Sequence, residues 1–148
     1  MIDRPLNSTI VNLWRQEVFG EIIPETEKKR SYLEEAGIVT IVFQPVGAST
    51  TTMTELKAGD SFRDFTGPLG CASEFVAEDL ETLKKKKFLF VAGGVGAAPV
   101  YPQVKWLKEH GIEADVIVGA KTKDLLILEK EMEEVSGNYY PCTDDGSY

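Results

Sequence analysis

The apolar positions of this 148-residue chain change character near its middle. From Gly37 to Gly47, "GIVTIVFQPVG", they are dense and β-branched, which predicts a strand that Pro45 ends or confines to an edge. "KAGDSF" carries a Gly-Asp turn signal ahead of another short strand, and "FTGPLG", Phe65 to Gly70, reads as a loop. The first 36 residues resist assignment. "STIVNLWRQEVFGEII" fits neither period, and "PETEKKRSYLEEAG" reads as a charged loop or a short solvated helix.

After Gly70 the pattern alternates between strand and helix. "SEFVAEDLETLKKKK" predicts a helix with Ser73 as N-cap, Val76, Leu80 and Leu83 on one face, and Lys84 to Lys87 at the C-terminus, where the helix dipole favours cations. "FLFVAG", Phe88 to Gly93, is a short apolar run of the kind buried on both faces. The next helix carries Val100, Val104 and Leu107 on one stripe; Pro102 predicts a start no earlier than Ala98, and Gly111 a stop. "EADVIVGA", Glu113 to Ala120, is a second buried strand. "KDLLILEKEMEEVSG" is a second amphipathic helix with Leu125, Leu128, Met132 and Val135 inward. "NYYPCTDDGSY" is a third strand, burying Cys142, that runs into a turn. This order predicts a parallel sheet with right-handed crossovers. The fold class expected is therefore α/β, with a β-rich part over 1–70 and an α/β part over 71–148.

Composition narrows the function classes. At 43% hydrophobic and 27% charged the chain matches an ordinary globular protein. Its net charge of −8 argues against nucleic acid as a partner, since such binders carry basic surfaces. Cys71 and Cys142 form neither a metal-ligand spacing nor a disulfide framework, which fits a reducing, cytoplasmic setting. "MIDRPLNSTI" lacks the basic-then-apolar pattern of a signal peptide, and no apolar run approaches membrane-spanning length. His110, the only histidine, stands one residue before Gly111, where helix-end packing accounts for it better than catalysis does; Trp14 and Trp106 read as packing residues. No catalytic acid, base or metal ligand is expected.

The chemistry concentrates in "AGGVGAAP". Gly93, Gly94 and Gly96 end a predicted strand and precede a helix, at the carboxyl edge where open α/β sheets bind ligands. Without Cβ atoms the backbone can approach a pyrophosphate closely, and the helix start offers unpaired N–H groups and partial positive charge. The spacing departs from G-x-G-x-x-G, and no acidic residue stands clearly about 20 positions on. The residues alone leave two readings open, an anion site or a tight turn. A glycine-loop transferase, such as a methyltransferase, would want an acid at the end of the second strand, where this chain reads "VIVGAKTK".

Four strings in order decide further: "GPLG" (Gly67 to Gly70), "AGGVGAAPVYP" (Ala92 to Pro102), "GAKTKDLLILEKEM" (Gly119 to Met132) and "TDDGSY" (Thr143 to Tyr148). Together they resemble the ferredoxin–NADP⁺ reductase superfamily. The branch they resemble most holds the dihydroorotate dehydrogenase electron-transfer subunit, the sulfide dehydrogenase small subunit and the flavin subunit of NADH-dependent ferredoxin–NADP⁺ oxidoreductase. The resemblance covers about Gly37 to Tyr148.

It implies a remnant of a flavin-binding antiparallel β-barrel over 1–70 and an incomplete NAD(P)-binding domain over 71–148. It further implies FAD and NAD(P)H as cofactors, and a larger oxidoreductase subunit or a ferredoxin as partner. Gly93, Gly94, Val95, Gly96 and Ala97 would hold the nucleotide pyrophosphate. Gly67, Pro68, Leu69 and Gly70 would join the two domains beside the cofactors. Lys121 would stand near the adenosine ribose, and Asp144, Asp145 and Gly146 would face the nucleotide. Gly47, Ser49 and Thr50, with Thr51, resemble the segment that meets the flavin diphosphate, and "RPLNST", with Arg4, Pro5, Ser8 and Thr9, partly matches a second flavin motif. The barrel strands expected before Arg4, the later strands of the nucleotide domain and the cysteines of a [2Fe–2S] cluster are missing. The resemblance thus implies a piece of a longer protein, whose activity would be that of the whole. The alternative is a non-catalytic nucleotide-binding or assembly module.

Overall fold

Two sheets of opposite kind follow from the change of pattern. The computed structural model describes residues 12–16, 22–24, 39–62 and 73–148. The chain forms two compact units, Met1–Leu69 and Gly70–Tyr148.

In the first unit, β1 (Asn12–Gln16) pairs antiparallel with both β2 (Ile22–Pro24) and β3 (Val39–Phe43), giving the order β2-β1-β3. Trp14 stands in register with Pro24 on one side and Ile41 on the other. β1 and β2 lie in the stretch where the sequence pattern shows no element. Strands of five and three residues are too short to display a period of their own. β3 ends before Pro45, as its sequence predicts. The turn of "KAGDSF" forms, with the Lys57 N–H donating to the Asp60 carboxylate at 2.7 Å and Ser61 following as a bridging residue; the stretch after Phe62 lies outside the described residues.

In the second unit, β4 (Phe88–Gly93), β5 (Ala114–Ala120) and β6 (Tyr139–Thr143) form a parallel sheet in that order. Helix α3 (Ala97–Glu109) follows β4, and α4 (Glu129–Val135) follows β5; among the described residues, α1 (Ala48–Met53) and α2 (Leu80–Leu83) come earlier. The core is one layer between the sheet and α3 and α4. Val116 and Val118 of β5, Val104 and Leu107 of α3, Met132 of α4 and Leu83 of α2 are fully buried. Each such side chain stabilises the fold by roughly 1.5–3 kcal/mol relative to exposure. Phe75 closes this layer, with its ring edge-on to Phe88 and Phe90 and 5.6 Å from Trp106.

Several expectations are corrected. The helix predicted over "SEFVAEDLETLKKKK" is a 3₁₀ turn (Glu74–Ala77) and the short α2, broken where Glu78 is extended. Asp79, not Ser73, caps α2 by accepting from the Thr82 N–H at 3.0 Å. Ser73 instead donates to Gln103 Oε1 at 2.9 Å. Val76 and Leu80 are exposed, because the break turns the predicted face away from the core. Helix α3 starts at Ala97 and runs through Pro102. The missing N–H is tolerated because the stripe Val104–Leu107 is fully buried one turn later. Its end is as predicted: Gly111, at φ +73, donates to the Lys108 carbonyl, and Ile112 to that of Leu107.

Helix α4 also begins later than its sequence pattern suggests. Leu128 adopts φ +56, and residues Lys123–Leu125 form a separate 3₁₀ turn, so Leu126 takes the buried place expected for Leu125 and Leu128. β4 is covered on one face only: Leu89 is 60% and Val91 67% exposed. Cys142 is exposed rather than buried, because strand alternation sends it to that uncovered face while Pro141 and Thr143 point the other way.

Candidate functional site

The glycine turn sits at the carboxyl end of the parallel sheet. Gly93 is the last residue of β4, Gly94–Gly96 make a 3₁₀ turn, and Ala97, fully buried, opens α3. Gly94 adopts φ +52, so this position requires a residue that tolerates left-handed backbone. A Cβ built on Gly93, Gly94 or Gly96 meets no atom within 4 Å. Among the described residues, no side chain lies against these three positions. The Ala97 N–H donates back to the Gly94 carbonyl, and the positive end of the dipole of the 13-residue helix lies at the turn.

β5 and β6 bring their own carboxyl ends to the same edge. Gly93 pairs with Gly119, Gly119 with Cys142, and Ala120 with Thr143. Lys121 follows immediately and is exposed. The turn after β6 is tied to the segment after β5. Asp144 N–H donates to the Ala120 carbonyl at 3.0 Å, Asp145 N–H to the Lys121 carbonyl at 3.3 Å, and Lys123 N–H to Ser147 Oγ at 2.9 Å. Asp145 is consumed by its own turn: its carboxylate accepts from the Ser147 hydroxyl at 2.6 Å and the Ser147 N–H at 3.0 Å, which holds its pKa below the usual carboxylate range. Lys123 is occupied over the Tyr148 ring, 4.4 Å from its centroid. Asp144 and Lys121 remain as exposed charges of opposite sign at the edge, and Gly146 completes the turn at φ +68. Ser147 had no role in the sequence reading; the signal that could have found it is the Asp-x-Ser spacing of a side-chain-closed turn.

In the first unit, Gly47 precedes α1 in extended conformation. Thr50 Oγ1 accepts from the N–H groups of Val46 and Gly47, each at 3.1 Å, so its hydroxyl serves the helix start; Ser49 is exposed. Gly67, Pro68, Leu69, Gly70, Cys71 and the Arg4 to Thr9 segment lie outside the described residues.

The remaining titratable groups are structural. His110 caps α3, its ring stacked on Trp106 at 4.0 Å between centroids and its Nδ1 donating to the Trp106 carbonyl at 2.7 Å. Tyr139 is pushed up to about 12, chiefly by burial and then by the Glu129 carboxylate. Among the described residues, no group of three or more His, Cys, Asp or Glu side chains is placed to hold a metal ion, and no helix is long and apolar enough to cross a membrane.

A three-stranded parallel sheet backed by helices, with a glycine turn at its carboxyl edge and an antiparallel sheet earlier in the chain, defines an α/β protein. No family model matches the chain. It is 38% identical over 144 residues to the Thermotoga maritima dihydroorotate dehydrogenase B (NAD⁺) electron transfer subunit homolog, covering 97% of this chain and 46% of that one. A Clostridium beijerinckii protein described only by its position in the adh 3′ region is 59% identical over 129 residues, 87% of this chain and 43% of its own. The solved NADH-dependent reduced ferredoxin–NADP oxidoreductase superposes with a TM-score of 0.62 at 34% identity, covering 90% of this chain and 45% of that chain. Electron transfer subunits of dihydroorotate dehydrogenase B are among the chain's homologues, and its fold is like that of the solved ferredoxin–NADP oxidoreductase. It spans about half the length of these relatives.

Proposed function

We propose that this chain is part of a flavin-dependent electron-transfer subunit that moves electrons between NAD(P)H and an iron–sulfur or ferredoxin partner through FAD. The observation that carries the reading is the open space against Gly93, Gly94 and Gly96, directly ahead of α3. There the backbone of Gly93, Gly94, Val95, Gly96 and Ala97 lies against the nucleotide diphosphate, whose charge the positive end of α3 favours. Residues 71–148 form the nucleotide domain, with Lys121, Asp144, Asp145 and Gly146 beside the adenosine ribose. Residues 1–70 belong to the flavin side, with Gly47, Ser49 and Thr50 at the flavin diphosphate and Gly67 to Gly70 joining the two parts.

The bound cofactors supply the hydride and one-electron chemistry; the chain supplies binding, orientation and charge. The named activities of its relatives support the reading: one is an NAD⁺-linked electron transfer subunit homolog, another an NADH-dependent oxidoreductase. The second reading is a non-catalytic nucleotide-binding or assembly module of a larger oxidoreductase complex.

Titration of the 148-residue chain with NADH, NADPH and FAD, with and without Gly94→Asp, tests both. Aspartate is among the side chains that enter left-handed backbone most often, at a cost in strain, and it places a negative charge against the diphosphate; circular dichroism checks that the variant is folded. At least tenfold weaker nucleotide binding is expected. Unchanged affinity removes the glycine turn from the site. Bound FAD that bleaches with NADH supports the catalytic reading; nucleotide binding by a colourless protein supports the second.

A further inference from the structure

We draw no further inference here: the strongest candidate, the exposed apolar face that Leu89, Val91 and Tyr140 build on the β4-β5-β6 sheet, carries none, because nothing in the structure shows what covers it.

Discussion

The Asp144 N–H donates to the Ala120 carbonyl at 3.0 Å and so carries the β5–β6 pairing one residue past the strand ends. Adjacent strands lie about 5 Å apart, so this turn stands about 10 Å along the sheet edge from the glycine turn. Dinucleotide sites read the ribose with an acid for NAD and a cation for NADP. Here the edge offers Asp144 against Lys121, with Asp145 adding a second negative charge and Lys123 engaged by Tyr148. Asp144→Asn is expected to shift the nucleotide preference towards NADPH, and Lys121→Ala towards NADH. Fluorescence titration with both nucleotides measures this, and equal ratios in all three proteins would remove these side chains from the ribose.

Core packing gives a stability test independent of any ligand. Met132 is fully buried between α4 and the sheet. Met132→Ala is expected to cost about 2–5 kcal/mol through lost transfer energy and the cavity left behind. Leu80→Ala, on the face that the break at Glu78 leaves exposed, is expected to stay within about 0.5 kcal/mol. Urea unfolding compares the two. Similar losses would mean that Leu80 packs as the helical pattern predicts.

Alkaline pH provides a third. Tyr139 is raised from 10.0 to about 12, first by burial and then by Glu129. A tyrosine that ionises later when folded contributes stability that is complete below pH 10 and is lost as pH rises toward 12. Thermal midpoints are expected to fall across that window, and Tyr139→Phe is expected to flatten the fall. An identical slope in the variant would refute the assignment.

The exposed thiol makes a fourth prediction. Cys142 lies on the uncovered sheet face, its Sγ 3.7 Å from the Val118 carbonyl. In a Cys71→Ser background, one equivalent of a thiol reagent is expected to react without denaturant. Labelling that waits for unfolding would show the face covered in solution.

The sequence by itself determined the parallel α/β half and its glycine turn. Strong local signals repeat there: "FLFVAG" and "EADVIVGA" are dense apolar runs, Val104 and Leu107 share a stripe, and Gly111 ends α3 through the one backbone conformation that suits it best. Four strings in order identified the superfamily. Tertiary structure decided what no local pattern encodes. β1 and β2 are strands because they pair with each other and with β3, a nonlocal gain invisible in five and three residues. The break at Glu78 and the left-handed Leu128 set which apolar residues reach the core, since a hydrophobic stripe fixes a face only while the helix stays unbroken. One-sided cover of β4 was likewise hidden, because an apolar run reads alike whether or not both faces are packed. The charged sheet edge is also a tertiary product: Lys121 and Asp144 are far apart in the pattern and come to one edge because β5 and β6 lie parallel and end together.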